Sequence, residues 1–273
     1  FTVPSKKMFF FGTSIFVVNL FGGLNQIFNK IIISHDLGVV WQGYFDVSLT
    51  LVTILSFPLL AMQFVSIPEA TSVGNEGEAL THGDLKEVVR GLFSFLVFCT
   101  ILLCFYDQEF IELLFGHKYL AAANYVPILA VGYIFLFVQQ FLAYINVSSR
   151  DPKEYRLLMY VTLICLVASP LMTHTLITLI GFMDAYVSFT SFSIIYTAAT
   201  ILSSPDLLPV RALFHKIDRL IIASIVTSLF LCIFRVSFSC GVILSSIIFT
   251  LLIFSLKYLD KRLILEMFAA KEI

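Results

Sequence analysis

The sequence predicts an all-α fold, a polytopic bundle of about eight transmembrane helices. Hydrophobic residues make up 59% of the 273 residues and charged residues only 13%, whereas globular domains carry about 25% charged residues. The mean hydropathy is +0.96, and the apolar residues form long uncharged stretches. Apolar and polar residues do not alternate along these stretches, so they are predicted to be helices rather than strands of a closed barrel.

Eight uncharged stretches follow one another along the chain, and the first two are long enough to cross a hydrocarbon core about 30 Å thick. The stretches are 8–29, 47–68, 91–106, 119–149, 157–183, 185–205, 220–234 and 236–256. The third and seventh are short and reach the full width only if Arg90 and Arg219 extend from their ends towards the headgroups. Asp184 and Arg235 are single charges that separate neighbouring stretches.

The positive charges predict the orientation. With the N-terminus in the cytoplasm and eight spans, 14 of the 17 Lys and Arg residues lie on the inner side, and only Lys30, Lys118 and Arg235 lie on the outer side. The opposite orientation would reverse this ratio and violate the positive-inside rule. We therefore expect a multi-pass protein of the cytoplasmic membrane with both ends of this chain inside. Because the chain begins at Phe1 and not at Met, we also expect a further segment upstream.

The first two stretches form a predicted hairpin, residues 8–68, which contains the two charges expected at membrane depth. Lys30 lies about two helical turns before Leu37-Gly38, and Asp46 lies about two turns after it. In an antiparallel hairpin the two charges share a depth. Because an unpaired charge in a membrane is costly, we expect them to face each other or a wet cavity.

Polar residues recur at helical spacing on both arms of this hairpin. On the first arm Asn19, Gly23, Gln26 and Lys30 share one face, and Asn25 and Asn29 share a second face; on the second arm Gln42, Asp46, Thr50, Thr53 and Phe57 form one stripe. The candidate substrate-binding residues are Lys30, Asp46, Asn19, Gln26, Asn25, Asn29 and Gln42.

These stripes have two interpretations, and the sequence leaves both open. In the functional one they line a cavity, where Lys30 attracts an anionic group and the amides bind hydroxyl groups. In the structural one Lys30 and Asp46 form an ion pair and the amides join neighbouring helices. Trp41 and Tyr44 are predicted to be anchors at the membrane interface.

Several function classes have no support in the sequence. The chain has no nucleophile–base pair, phosphate-binding loop or metal-ligand spacing, so no catalytic residue, metal or cofactor is predicted and we do not expect an enzyme. A net charge of −1 does not suggest a nucleic-acid partner. The five cysteines lie in or beside apolar stretches and are interpreted as small packing or lipid-facing residues.

Short segments of the chain resemble the C-terminal part of the Wzx-type polysaccharide (O-antigen) flippases, in the multidrug/oligosaccharidyl-lipid/polysaccharide exporter superfamily. The resemblance covers about residues 5–260. The segments are Leu24-Asn25-Gln26-Ile27-Phe28-Asn29-Lys30-Ile31-Ile32-Ile33, Ile67-Pro68-Glu69-Ala70-Thr71, Gly83-Asp84-Leu85-Lys86, Leu114-Phe115-Gly116-His117-Lys118-Tyr119-Leu120-Ala121-Ala122-Ala123 and, more loosely, Gly181-Phe182-Met183-Asp184-Ala185. The chain departs from the family at Asn29, where an acid is frequent, and at Asp184, where the family has a small residue.

The resemblance implies an organisation and a function. Residues 1–202 would be the second six-helix lobe, residues 203–273 an inner linker plus two extra transmembrane helices, and the N-terminal lobe would be missing from this chain. The two lobes would rock about a central cavity in alternating access. Their implied substrate is a polyprenyl-(pyro)phosphate-linked oligosaccharide, moved across the lipid bilayer for polysaccharide export.

Two alternatives make different predictions. A cation-coupled multidrug exporter of the same superfamily would depend on a cavity acid, Asp46 or Asp184, more than on Lys30. A non-transporting membrane scaffold subunit would tolerate charge-neutral changes along the polar stripes but not changes on the lipid-facing side.

Overall fold

A computed structural model describes residues 6–57, 60, 82–148, 152–203, 216–234 and 237–259. Nine α-helices run through these residues, and two 3₁₀ helices connect some of them. The α-helices are α1 (Lys6–Leu37), α2 (Val39–Val52), α3 (His82–Phe105), α4 (Asp107–Phe115), α5 (Val126–Ser148), α6 (Pro152–Ile180), α7 (Met183–Ser203), α8 (Ile217–Phe234) and α9 (Phe238–Ser255); the 3₁₀ helices are Thr53–Ser56 and His117–Tyr125. The described residues contain no strand, so the predicted helical fold class is confirmed.

The helices pack in a continuous series. α1 packs along α6, α6 along α7, and α7 along α5; α5 in turn contacts α2 and α3, and α3 contacts the α8–α9 pair. The Thr190 hydroxyl donates to the Ile128 carbonyl, and Thr197 donates to Phe135. Both bonds join residues 62 positions apart, so α5 and α7 run parallel. Two spans can run parallel only if an odd number of spans lies between them, and here the single helix α6 lies between α5 and α7, in agreement with their predicted places as the fourth and sixth spans.

Six helices of the described residues are long and apolar enough to cross a membrane, or seven if the bent pair α3–α4 forms one span. The first predicted span, in α1, is not among these helices, so the count of eight spans stays a prediction. The third stretch differs from its prediction. α3 begins at His82 and contains Arg90, whose side chain is buried (2% exposed) rather than extended from a helix end.

One further element and one boundary were not predicted from the sequence. After Phe105 the chain bends by 84° into α4, a short helix with Asp107 and Glu109 in its first turn. The break between α6 and α7 lies at Gly181 (φ +99°) rather than at Asp184. Glycine tolerates this left-handed backbone without a steric penalty, whereas Asp184 has the helical backbone of the first turn of α7.

The ends of α8 and α9 are fastened to each other by basic residues. The Arg219 guanidinium donates to the Leu256 and Lys257 carbonyls at 2.8 and 3.0 Å, and Lys216 donates to Lys257 at 3.2 Å. These carbonyls have no partner within α9, and a cation is favourable at this negative end of the helix dipole. These contacts therefore hold the start of α8 against the end of α9.

Some sequence predictions lie outside the described residues. They include the segment Ile67–Thr71, most of the inner connector before His82, and residues 204–215 of the inner linker. The side chains of Asn19, Asn25 and Asp184 also lie outside the described part.

Candidate functional site

Gly38 forms the turn of the hairpin. Its φ is +94°, a backbone that side-chain-bearing residues rarely adopt, and its N–H donates to the Ser34 carbonyl at 3.1 Å. The turn therefore lies where the sequence places it. As predicted from their equal spacing about this turn, the two charges meet: the Lys30 ammonium lies 2.8 Å from Asp46 Oδ1.

The Lys30–Asp46 pair is half-buried, with 36% and 35% of the two side chains exposed. The Asp46 Oδ1 atom is itself buried and accepts no hydrogen bond of regular geometry within the described residues, so Lys30 neutralises it through close ionic contact. About a third of each side chain is therefore uncovered beside a close ionic contact. The contact also satisfies both charges without a ligand, so the structure supports both interpretations of the pair.

Further polar groups surround this pair on the uncovered side of the hairpin. Gln26 and Thr50 are exposed, and Gln42 is half-buried. The Thr50 hydroxyl donates to the Asp46 carbonyl at 2.7 Å, so it is satisfied by its own helix. Within the described residues the amides of Gln26 and Gln42 have no hydrogen-bond partner, which leaves them able to bind hydroxyl groups of a ligand.

Asn29 lies on a different face of α1, against α6. Its side chain is 5% exposed; Nδ2 donates to the Ser169 hydroxyl at 3.3 Å, and Oδ1 accepts from the Thr173 hydroxyl at 2.8 Å. Both ends of the amide are thus used in a helix–helix seam, and the predicted substrate-binding residues Lys30 and Asn29 point in different directions. Asn25 lies one helical turn before Asn29 on the backbone of α1.

Asp36 forms a polar cluster that the sequence analysis missed. Its Oδ1 lies 2.7 Å from His35 Nδ1 and its Oδ2 lies 2.8 Å from His174 Nδ1. Because the carboxylate can only accept, both imidazoles donate to it. Asp36 lies beyond the first span, and its pKa is lower than usual because the His35 and His174 hydrogen bonds stabilise the charged form. One feature of the sequence could have indicated this cluster: His174 is an ionisable residue inside an apolar stretch.

Aromatic rings cover the turn end of the hairpin. Trp41 packs on Phe182 with ring centroids 4.3 Å apart and meets the edge of Tyr44 at 5.8 Å. Tyr44 in turn meets Tyr119 edge-on at 6.4 Å. Trp41 is 39% exposed, so one part of the indole packs on Phe182 in the break between α6 and α7 and another part is uncovered.

Ser48 fixes α2 to the rest of the bundle below these rings. The side chain is fully buried, and its Oγ lies 2.9 Å from the Ala122 carbonyl, 3.0 Å from the Tyr44 carbonyl of its own helix and 3.4 Å from the Tyr186 hydroxyl. The Ser48 hydroxyl donates its single proton to a carbonyl, so its oxygen can accept a hydrogen bond from the Tyr186 hydroxyl. This buried contact joins α2 to the 3₁₀ helix His117–Tyr125 and to α7, two residues after Asp46.

Comparison with known proteins gives one match. Residues 2–124 match the model of a family described as "Polysaccharide biosynthesis protein". No curated protein and no solved structure shows a significant match to the chain. The family match includes the whole α1–α2 hairpin, with Lys30, Asp46 and the amides around them. Over this part the chain is similar to polysaccharide biosynthesis proteins, and its helices are those of a multi-pass membrane protein.

Proposed function

We propose that the chain forms part of a transporter that flips a polyprenyl-(pyro)phosphate-linked oligosaccharide across the cytoplasmic membrane by alternating access, without covalent chemistry. The observation that carries this proposal is the Lys30–Asp46 pair, half-exposed on one face of the α1–α2 hairpin. The similarity of residues 2–124 to polysaccharide biosynthesis proteins supports it, because that match contains this face.

The chemistry of the hairpin suits the three parts of such a substrate. The Lys30 ammonium can leave Asp46 and bind a phosphate group instead. The free amides of Gln26 and Gln42 can bind sugar hydroxyls. The neighbouring Phe28 and Ile31 are 40% and 57% exposed and offer an apolar surface for the lipid tail. A single lysine neutralises only part of the negative charge of a pyrophosphate. We therefore infer that an N-terminal lobe completes the cavity and provides further positive charge.

The test is flipping of the lipid-linked sugar by the natural full-length protein in vesicles. Lys30→Met should abolish flipping while the protein remains folded, and Lys30→Met combined with Asp46→Leu should also be inactive. Lys118→Met is the matched control, since Lys118 is an exposed lysine beside Tyr119 and away from the hairpin pair. Full transport by the double variant, with single variants only lowering protein abundance, would make the pair purely structural.

The alternative functions have distinct outcomes in the same preparation. Drug efflux without flipping, lost in Asp46→Asn but not in Lys30→Met, would replace our proposal with a cation-coupled multidrug exporter. Neither activity, together with tolerance of every charge-neutral change on the hairpin face, would indicate a scaffold subunit. Covalent modification of the lipid-linked sugar by the purified protein would contradict the expectation that the protein is not an enzyme.

A further inference from the structure

The seam between α1 and α6 is tied by polar contacts at two levels. The deeper one joins Asn29 to Ser169 and Thr173, and the outer one joins Asp36 to His174. Pro170 lies inside α6 between the two deeper partners. Because proline removes one backbone hydrogen bond, α6 is weakened at this level. Side-chain contacts to α1 therefore contribute to holding the outer part of α6 in place.

The outer contact differs from the deeper one because it can change its charge. Asp36 is largely covered, with 12% of its side chain exposed, whereas 56% of the His174 side chain is uncovered on the surface of the bundle. An imidazole ordinarily changes charge between pH 5 and 8. The contact is thus a hydrogen bond to a carboxylate when His174 is neutral and an ion pair when His174 is protonated.

The other charged groups described near Asp36 do not join it to a second helix. On α1, His35 also donates to Asp36 but belongs to the same helix, so it orients the carboxylate without joining two helices. Lys30 on α1 and Asp46 on α2 are paired with each other. Among described side chains, His174 is the titratable partner that reaches Asp36 from another helix. The side chain of Asp184, at the start of α7, is outside the described part.

We propose that Asp36 and His174 form a proton-sensitive latch, which tightens the outer end of the α1–α6 seam when the pH on that side falls from about 8 to about 5. Protonation of His174 would turn the contact into an ion pair with the charged Asp36. The lowered pKa of Asp36 means that the latch fails only in stronger acid, as the pH falls through that lowered value.

The latch is linked to the hairpin face because α1 carries both Asp36 of the latch and Lys30 of that face. Lys30 follows Asn29 directly in sequence, and Asp36 lies less than two helical turns further along the same helix. Movement of the outer end of α1 away from α6 would therefore displace the Lys30–Asp46 pair. The pH on one side of the membrane would thus set how freely the hairpin moves, whatever the protein transports.

Hydrogen–deuterium exchange of the natural full-length protein in lipid nanodiscs tests the latch without any transport assay. After correction for the intrinsic pH dependence of exchange, protection of amides 32–38 and 171–180 should rise about two- to fivefold from pH 8 to pH 5.5, the range expected for a half-exposed ion pair. His174→Gln keeps a donor but no titratable charge, so its protection should stay constant over this interval.

Two further variants sharpen the test. His117→Gln removes another exposed histidine, 3.4 Å from Glu112, and should leave the pH response of the wild type intact. Asp36→Asn should abolish the response. An unchanged response in His174→Gln, or no response in the wild type, would overturn the proposal. Because the readout is backbone protection, a protein that flips no lipid-linked sugar can still support the latch, and an active flippase can still refute it.

Discussion

Replacement of Asn29 by leucine separates a packing role of this amide from a substrate-binding role. The structure predicts packing, because the side chain is 5% exposed and both of its ends are bonded to α6. Interhelical hydrogen bonds in membranes contribute about 0.6 kcal/mol each on average. Two such bonds give about 1 kcal/mol, and the leucine side chain restores most of the apolar packing.

The released hydroxyls limit the cost further. Ser169 and Thr173 can each donate to a carbonyl one turn earlier in α6, as many helical serines and threonines do. We therefore expect Asn29→Leu to lower the free energy of unfolding by about 1 kcal/mol and Asn29→Ala to lower it more, because alanine also leaves a cavity.

The assay is reversible unfolding of the full-length protein in bicelles, measured beside flipping of the lipid-linked sugar. Ser169→Ala combined with Thr173→Val removes the same two bonds from the other side, so its effect should resemble that of Asn29→Leu and should not add to it fully. If Asn29→Leu abolished flipping at unchanged stability while the α6 double variant remained active, the packing interpretation would be refuted. Asn29 would then belong to the substrate-binding face, as the sequence analysis predicts.

Three further predictions concern the packing of the bundle and its position in the membrane. A Cβ at Gly241 would overlap the hydroxyl of the buried Tyr106, so Gly241→Ala should lower the free energy of unfolding by about 1–3 kcal/mol. Gly91 has open space around it, so Gly91→Ala should have little effect. Equal losses for the two variants in an unfolding assay would contradict this prediction. Arg219→Gln should cost about 1 kcal/mol in the same assay, because glutamine cannot neutralise the end of α9, and Arg219→Lys should recover part of it. Fluorescence of Trp41, with any tryptophan outside this chain replaced by phenylalanine, should be quenched more by lipids brominated near the headgroup than near the chain end; the reverse order would place the hairpin turn inside the membrane core.

The sequence alone determines the helical class and the equal depth of Lys30 and Asp46, whereas their direct contact is seen in the structure. Long uncharged stretches in a chain with few charges are compatible only with membrane helices, because every buried backbone group must be bonded internally. The equal depth follows from one glycine and equal spacing: once the chain reverses at Gly38, two charges at equal distance from the turn reach the same depth. Both conclusions depend on local geometry and the cost of charge in a membrane, which need no knowledge of the other helices.

The tertiary structure decides which helix faces are covered. Periodicity places Asn29 and Lys30 on different faces of α1, but only the packing of α6 shows that the Asn29 face is a seam and that the Lys30 face is open. The contact of Asp36 with His174 joins residues 138 positions apart, so no local pattern predicts it. The burial of Arg90 and the 84° bend before α4 likewise depend on neighbours distant in the chain. Helical spacing defines which residues share a face, whereas the partner of each face is set by long-range packing.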